Sequence, residues 1–165
     1  MQYIKEMQFY QNDKKTAITL GKFDGLHRGH ETLIERVIEH QKNDGVDSVV
    51  FAFDMSPLYE KIKKKKESLI TNEERAGRLF GRVDYLVECP FVEAVSKIEA
   101  ETFIKEILVK QFHAKYIVVG TDFHFGYQKK GDSGIYVREA DARLIYPSGS
   151  FGNSFDYEDL VADTE

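Results

Sequence analysis

Four short runs rich in β-branched residues alternate along this chain with segments of helical periodicity. That alternation restricts the fold more than any other feature of the sequence. The runs are TAITLG (Thr16 to Gly21), SVVFAF (Ser48 to Phe53), VDYLVE (Val83 to Glu88) and KYIVVG (Lys115 to Gly120). Between the first two lies HETLIERVIEHQK, with Leu33, Ile34, Val37 and Ile38 at helical spacing and charges on the other face. TNEERAGRLF opens with a capping residue at Thr71 or Asn72 and acidic residues in its first turn, as a helix start should. EAETFIKEILVKQF gathers Phe103, Ile104, Ile107, Leu108 and Phe112 on one amphipathic face. Strand, helix, strand in repetition predicts an α/β fold, a Rossmann-like open parallel sheet with crossover helices. One more strand is expected around ARLIY. After Gly131 the pattern decays into a Gly/Ser-rich turn and an acidic tail, so the reading is a single domain over 1–165 with 131–165 atypical.

Composition excludes several function classes. The 165 residues are long enough to bury a real core, and 42% hydrophobic with 31% charged is a globular balance. A formal net charge of −5 offers no basic field for nucleic acid. The one basic run, KIKKKK (Lys61 to Lys66), reads as a solvated loop or helix end, with phosphate steering as the minor alternative. The N-terminal stretch lacks the apolar core of a signal peptide, and no segment reaches transmembrane length, so no membrane role is expected. The single cysteine, Cys89, excludes an internal disulfide and a multi-thiolate metal site. It sits in an apolar run and reads as a buried structural thiol, with Glu88 and Glu93 expected to raise its pKa. A reducing, cytoplasmic setting fits.

The chemistry concentrates at the end of the first strand. GKFDGLHRGH (Gly21 to His30) places three glycines and two histidines in ten residues. Glycine lets the backbone approach a ligand closely, and the helix that follows aims free N–H groups and a positive dipole end at the same place. His27 and His30, three apart, can share one side of that helix start and donate hydrogen bonds to phosphoryl oxygens. The competing reading is a helix cap and a satisfied turn. Familiar alternatives fail: there is no G-x-G-x-x-G, and GYQKKGDS (Gly126 to Ser133) carries Asp132 where a phosphate loop needs its lysine. A zinc site lacks the i, i+4 histidine spacing and an obvious third ligand.

These residues resemble the H-x-G-H signature of the nucleotidylyltransferase superfamily. VVFAFDMSP, DYLVECPF and IVVGTDFHFGYQKKGD narrow the likeness to the FAD synthetase family, the adenylyltransferase module of bifunctional riboflavin kinase/FMN adenylyltransferases. The resemblance covers about Thr16 to Asp132. It implies the nucleotidylyltransferase fold and transfer of AMP from ATP to FMN, giving FAD and pyrophosphate, with Mg²⁺ accompanying ATP rather than held in a protein cage. ATP and FMN would be the partners. It also implies that His27 and His30 bind the ATP phosphates, and that Gly21, Phe23, Asp24, Gly25 and Gly29 shape the nucleotide loop. Asp122, Phe123 and Phe125 would line the flavin and metal side, with FDMSP facing them. From the residues alone, Phe51 and Phe53 are as readily core as pocket, Asp122 is equally a turn residue, and Asp24 equally caps its own loop.

The family pattern breaks in two places. His124 stands where many relatives carry arginine, which removes a permanent cation. The Ser-Ser-Thr-x-x-Arg type segment that grips phosphates has no counterpart in the tail, and the length leaves no room for a riboflavin kinase barrel. Losing such a clamp costs several kcal/mol of transition-state stabilisation, roughly two to three decades in rate. Two alternatives to FAD synthesis therefore stand: another H-x-G-H transferase, or a non-catalytic flavin- or nucleotide-binding remnant. His40 and His113, near helix ends, read as surface residues.

Overall fold

A computed structural model of the chain describes residues 1–23, 28–57, 71–99, 102–119, 124–125, 131–132 and 143–145. The strands are β1 (Gln2–Ile4), β2 (Thr16–Gly21), β3 (Asp47–Asp54), β4 (Tyr85–Pro90), β5 (Ala114–Val118), β6 (His124–Phe125), β7 (Gly131–Asp132) and β8 (Arg143–Ile145). The helices are α1 (Arg28–Asp44), α2 (Asn72–Leu79), the single turn α3 (Glu93–Ser96) and α4 (Phe103–Gln111). Six strands form one sheet in the order β1-β4-β3-β2-β5-β8, and every pairing in it is parallel. The α/β reading of the sequence holds. β6 and β7 form a separate antiparallel pair, His124 opposite Asp132 and Phe125 opposite Gly131.

The sheet buries both faces, which is why its central strands are apolar almost throughout. Successive side chains point to opposite faces. Ile18, Leu20, Val49, Phe51, Val87 and Cys89 therefore meet α4 through Phe103, Ile104, Ile107, Leu108 and Phe112. Ala17, Val50, Ala52, Leu86 and Val118 meet Leu33, Ile34 and Val37 of α1 and Ala76 and Leu79 of α2. Phe51 is core, not pocket lining. Phe53 lies at the margin of the same cluster, edge-on to Phe51 at 5.2 Å. The helix faces inferred from periodicity are the buried ones. Thr71 caps α2 by accepting the Glu74 N–H at 3.0 Å.

Four features depart from or exceed the sequence reading. β1 is an added edge strand, held by pairing Gln2–Ile4 with Tyr85–Val87. α3 adds one helical turn. α4 is wound with i→i−5 bonds that continue at Phe112, whose N–H reaches the Ile107 carbonyl at 3.0 Å. The two histidines assigned to the surface are half-buried. His40 stacks on Tyr116 with centroids 3.9 Å apart, and His113 takes a left-handed φ of 53° where α4 turns into β5. A helix end packed against a strand does not leave its last turn in water.

Candidate functional site

The strand order reverses at β2. Chain direction runs from β2 outward through β3 and β4, then returns to lay β5 against the other side of β2. In open parallel sheets such a reversal opens a crevice beyond the carboxyl ends of the two strands. Here Thr19 of β2 lies opposite Val118 of β5, so the segments leaving Gly21 and Val119 start side by side. These are the segments that enter GKFDGLHRGH and GTDFHFG. The strands that precede these motifs, about a hundred residues apart in sequence, end side by side.

The start of the first loop is tightly built. Phe23 is 0% exposed and adopts φ 48°, a left-handed conformation that bulky residues adopt only under constraint. Its ring folds back over Gly21: a Cβ there would sit 3.1 Å from Phe23 Cε2, so a side chain would push the ring back by a few tenths of an ångström, and glycine is favoured by contact and not by its own φ. The ring also meets the His30 imidazole, centroids 5.0 Å apart at 51°. His30 is half-buried in the first turn of α1, where helix N–H groups point toward the crevice. Phe23 thus packs its buried ring against both the Gly21 position and His30. Gly29 lies in the same helical turn. Asp24, Gly25 and His27 lie outside the described residues, as do Asp122 and Phe123. Phe125 falls in β6.

Sequence reading missed a buried polar assembly beside this turn. Arg75 of α2 and Glu88 of β4 form an ion pair at 3.1 Å, with side chains only 4% and 6% exposed. Arg75 Nη1 also donates to the Lys22 carbonyl at 2.8 Å, and Nη2 donates to Asn72 Oδ1 at 3.3 Å. Arg75 Nε has no partner among the described residues. Tyr3 of β1 donates its hydroxyl to Glu88. Burial, then that hydrogen bond, pushes the phenol pKa well above its ordinary value, so it stays a donor. Asn72 continues the chain by donating to Asp54 Oδ2 at 3.3 Å, and Asp54 Oδ1 accepts from the Ser56 N–H and hydroxyl. The readable signal was a pair of opposite charges in apolar patterns. Arg75 sits on the Ala76–Leu79 stripe of α2, and Glu88 interrupts YLVECP.

Cys89 is a buried thiol whose pKa is pushed up to about 12. Burial alone causes the shift, which corrects the expected contribution of Glu88 and Glu93. In a strand, Glu88 and Cys89 face opposite sides of the sheet, so the carboxylate next in sequence is not next in space. Among the described residues no helix is long and apolar enough to cross a membrane.

Comparison with known proteins bears on the family and the fold. The FAD synthetase family model matches residues 9–145. The bifunctional riboflavin kinase/FMN adenylyltransferase of Buchnera aphidicola subsp. Schizaphis graminum is 30% identical over 123 residues, 73% of this chain and 39% of that protein. Its Escherichia coli K12 counterpart is 32% identical over 118 residues, 70% of this chain and 38% of that protein. A putative bifunctional enzyme of Geobacillus thermodenitrificans is 26% identical, and the match covers 79% of this chain and 71% of that one. The chain spans about two fifths of the length of the first two relatives. Among solved structures, a protein described as a macrolide-efflux protein from Streptococcus pneumoniae superposes with a TM-score of 0.63 at 27% identity. That match covers 76% of this chain and 43% of the other.

Proposed function

The chain belongs to the FAD synthetase family, and on that premise we propose that it is an FMN adenylyltransferase. MgATP and FMN are its substrates, and FAD and pyrophosphate its products. A phosphate oxygen of FMN attacks the α-phosphorus of ATP. As that bond forms, the bond from the α-phosphorus to the bridging oxygen breaks, and its electron pair leaves with pyrophosphate. Such transfer needs positioning and neutralisation of charge more than a covalent nucleophile. His30, with His27 one turn earlier in sequence, donates hydrogen bonds to the phosphoryl oxygens, and the N-terminus of α1 adds backbone N–H groups. Asp122, Phe123 and Phe125, on the segment leaving β5, take the flavin side. Gly21 and Phe23 act behind the histidine, and Asp24, Gly25 and Gly29 complete the loop. The reading places the reaction in the cytoplasm, where a lone buried thiol stays reduced.

The observation that carries this reading is the adjacency of β2 and β5 at the reversal of strand order. The segments that follow the two strands start side by side there, which supports assigning the histidine loop and the flavin segment to one crevice. The test is incubation of the purified chain with FMN, ATP and Mg²⁺, with FAD resolved by chromatography. FAD formation that falls at least about 100-fold in His27→Ala and in His30→Ala is expected, the scale of losing one oxyanion donor. FMN or ATP binding with no FAD would refute catalysis and leave a binding module.

A further inference from the structure

We propose that Arg75 is a positioning residue for the phosphate loop: with Glu88 as its anchor, it fixes the Lys22 carbonyl and thereby the Phe23–His30 contact. The inference rests on reading Gly21 to His30 as the phosphate loop. It starts from a row across the sheet in which Gly21 of β2 lies opposite Ala52 of β3, and Ala52 opposite Glu88 of β4. Two of the three residues in that row are the smallest available. They leave room above the sheet for a guanidinium that holds Glu88 at 3.1 Å with one arm and the Lys22 carbonyl at 2.8 Å with the other.

The bonded carbonyl stands at a decisive point. Lys22 is the last residue before the backbone turns into the left-handed region at Phe23, φ 48°. Phe23 presses on the Gly21 position behind it and on the His30 ring ahead of it. Rotation of the Lys22 peptide would swing Phe23 and release His30. A guanidinium fork suits this task because its donors are coplanar and fixed relative to one another, whereas a lysine presents one freely rotating amine. Tyr3 donates to the same carboxylate oxygen of Glu88 that Arg75 holds, which fixes that oxygen from two elements.

Stability alone does not account for the arrangement. A buried ion pair is commonly matched or exceeded by a pair of well-packed apolar side chains, and here Arg75 Nε is also left without a partner among the described residues, which adds a desolvation cost. The assembly lies at the carboxyl edge of the sheet, and its second arm ends on the loop.

The test pairs Arg75→Met with Glu88→Leu in the full chain, so that no unpaired charge remains buried. Arg75→Lys serves as the conservative variant and Lys110→Gln, from the exposed Lys110–Glu106 pair, as the control. Two readouts separate positioning from structure: the imidazole proton resonances of His30, which lie in the ring current of Phe23, and kcat against KM for FMN. In the folded double variant the His30 resonances should move toward those of free histidine. kcat should fall by about 10- to 100-fold, the scale of a 1 Å misplacement, with KM for FMN unchanged. Arg75→Lys should fall between. Wild-type His30 resonances and kcat in the folded double variant would overturn the proposal. If the double variant does not fold, Arg75→Lys decides by the same two readouts, and wild-type values of both would overturn the proposal there too. If the wild-type chain forms no FAD, the proposed function fails, and the His30 resonances alone decide the clamp.

Discussion

Replacing Phe23 separately by alanine and by glycine tests the constrained turn at the start of the loop. The ring is fully buried and touches both the Gly21 position and His30, so removing it opens a cavity that costs about 3–5 kcal/mol. In a chain of this size each kcal/mol moves Tm by about 2–4 °C. Phe23→Ala should therefore lower Tm by roughly 6–20 °C, taking the extremes of both ranges. At an ordinary extended or helical position, glycine would be worse than alanine by about 0.5–1 kcal/mol. At φ 48° the order reverses, because alanine keeps the clash of Cβ with the backbone, about 1–2 kcal/mol, and glycine loses it. Phe23→Gly should thus be more stable than Phe23→Ala by about 1 kcal/mol, or about 2–4 °C. Thermal unfolding and urea titration of the full chain read the difference directly. A glycine variant less stable than the alanine variant would refute the left-handed turn and the claim that tertiary contacts hold Phe23 there.

Two further outcomes follow from groups away from the loop. The His40 pKa is lowered, first by burial and then by Arg36, against smaller opposing effects of Glu39 and Asp44. Arg36 donates to its Nε2, and Tyr116 stacks on its ring. The unfolded chain then binds the extra proton first, so its stabilising effect is present above about pH 6.5 and is lost as pH falls through the lowered folded value. His40→Phe, which keeps the stack, should have a flatter Tm between pH 7 and pH 5 than wild type; equal slopes would refute the assignment. For Cys89, a thiol pushed up to about 12 by burial should not react with a thiol reagent at pH 8 in the native chain and should react fully in denaturant. Rapid labelling of the native chain would place Cys89 at the surface.

Local chemistry made much of the fold legible. β2, α2 with its Thr71 cap and the buried stripes of α1 and α4 follow from residues within one or two turns of each other, as does the strand at Arg143–Ile145. The histidine-glycine motif and its place after a strand are equally local. β1 escaped because three residues at a sheet edge carry no period, and only pairing with β4 makes them a strand. His40 escaped because its burial depends on Tyr116 of a distant strand. The π-type winding of α4 leaves the same side chains buried that an α-helix would, so the apolar pattern does not report it.

By itself, then, the sequence determined the class of fold, the central strands and the longer helices that build it, and the residue types offered to a phosphate. Tertiary structure alone decided that β5 returns to the side of β2 opposite β3, which sets the ends of the two strands that precede the motifs side by side. It also decided that Arg75 and Glu88, each an apparent misfit in an apolar pattern, meet above a row cleared by Gly21 and Ala52. The physical reason is common to both. Propensity, capping and periodicity act between neighbours in sequence, whereas strand order and the pairing of buried charges depend on which elements pack together once the chain has closed over its core.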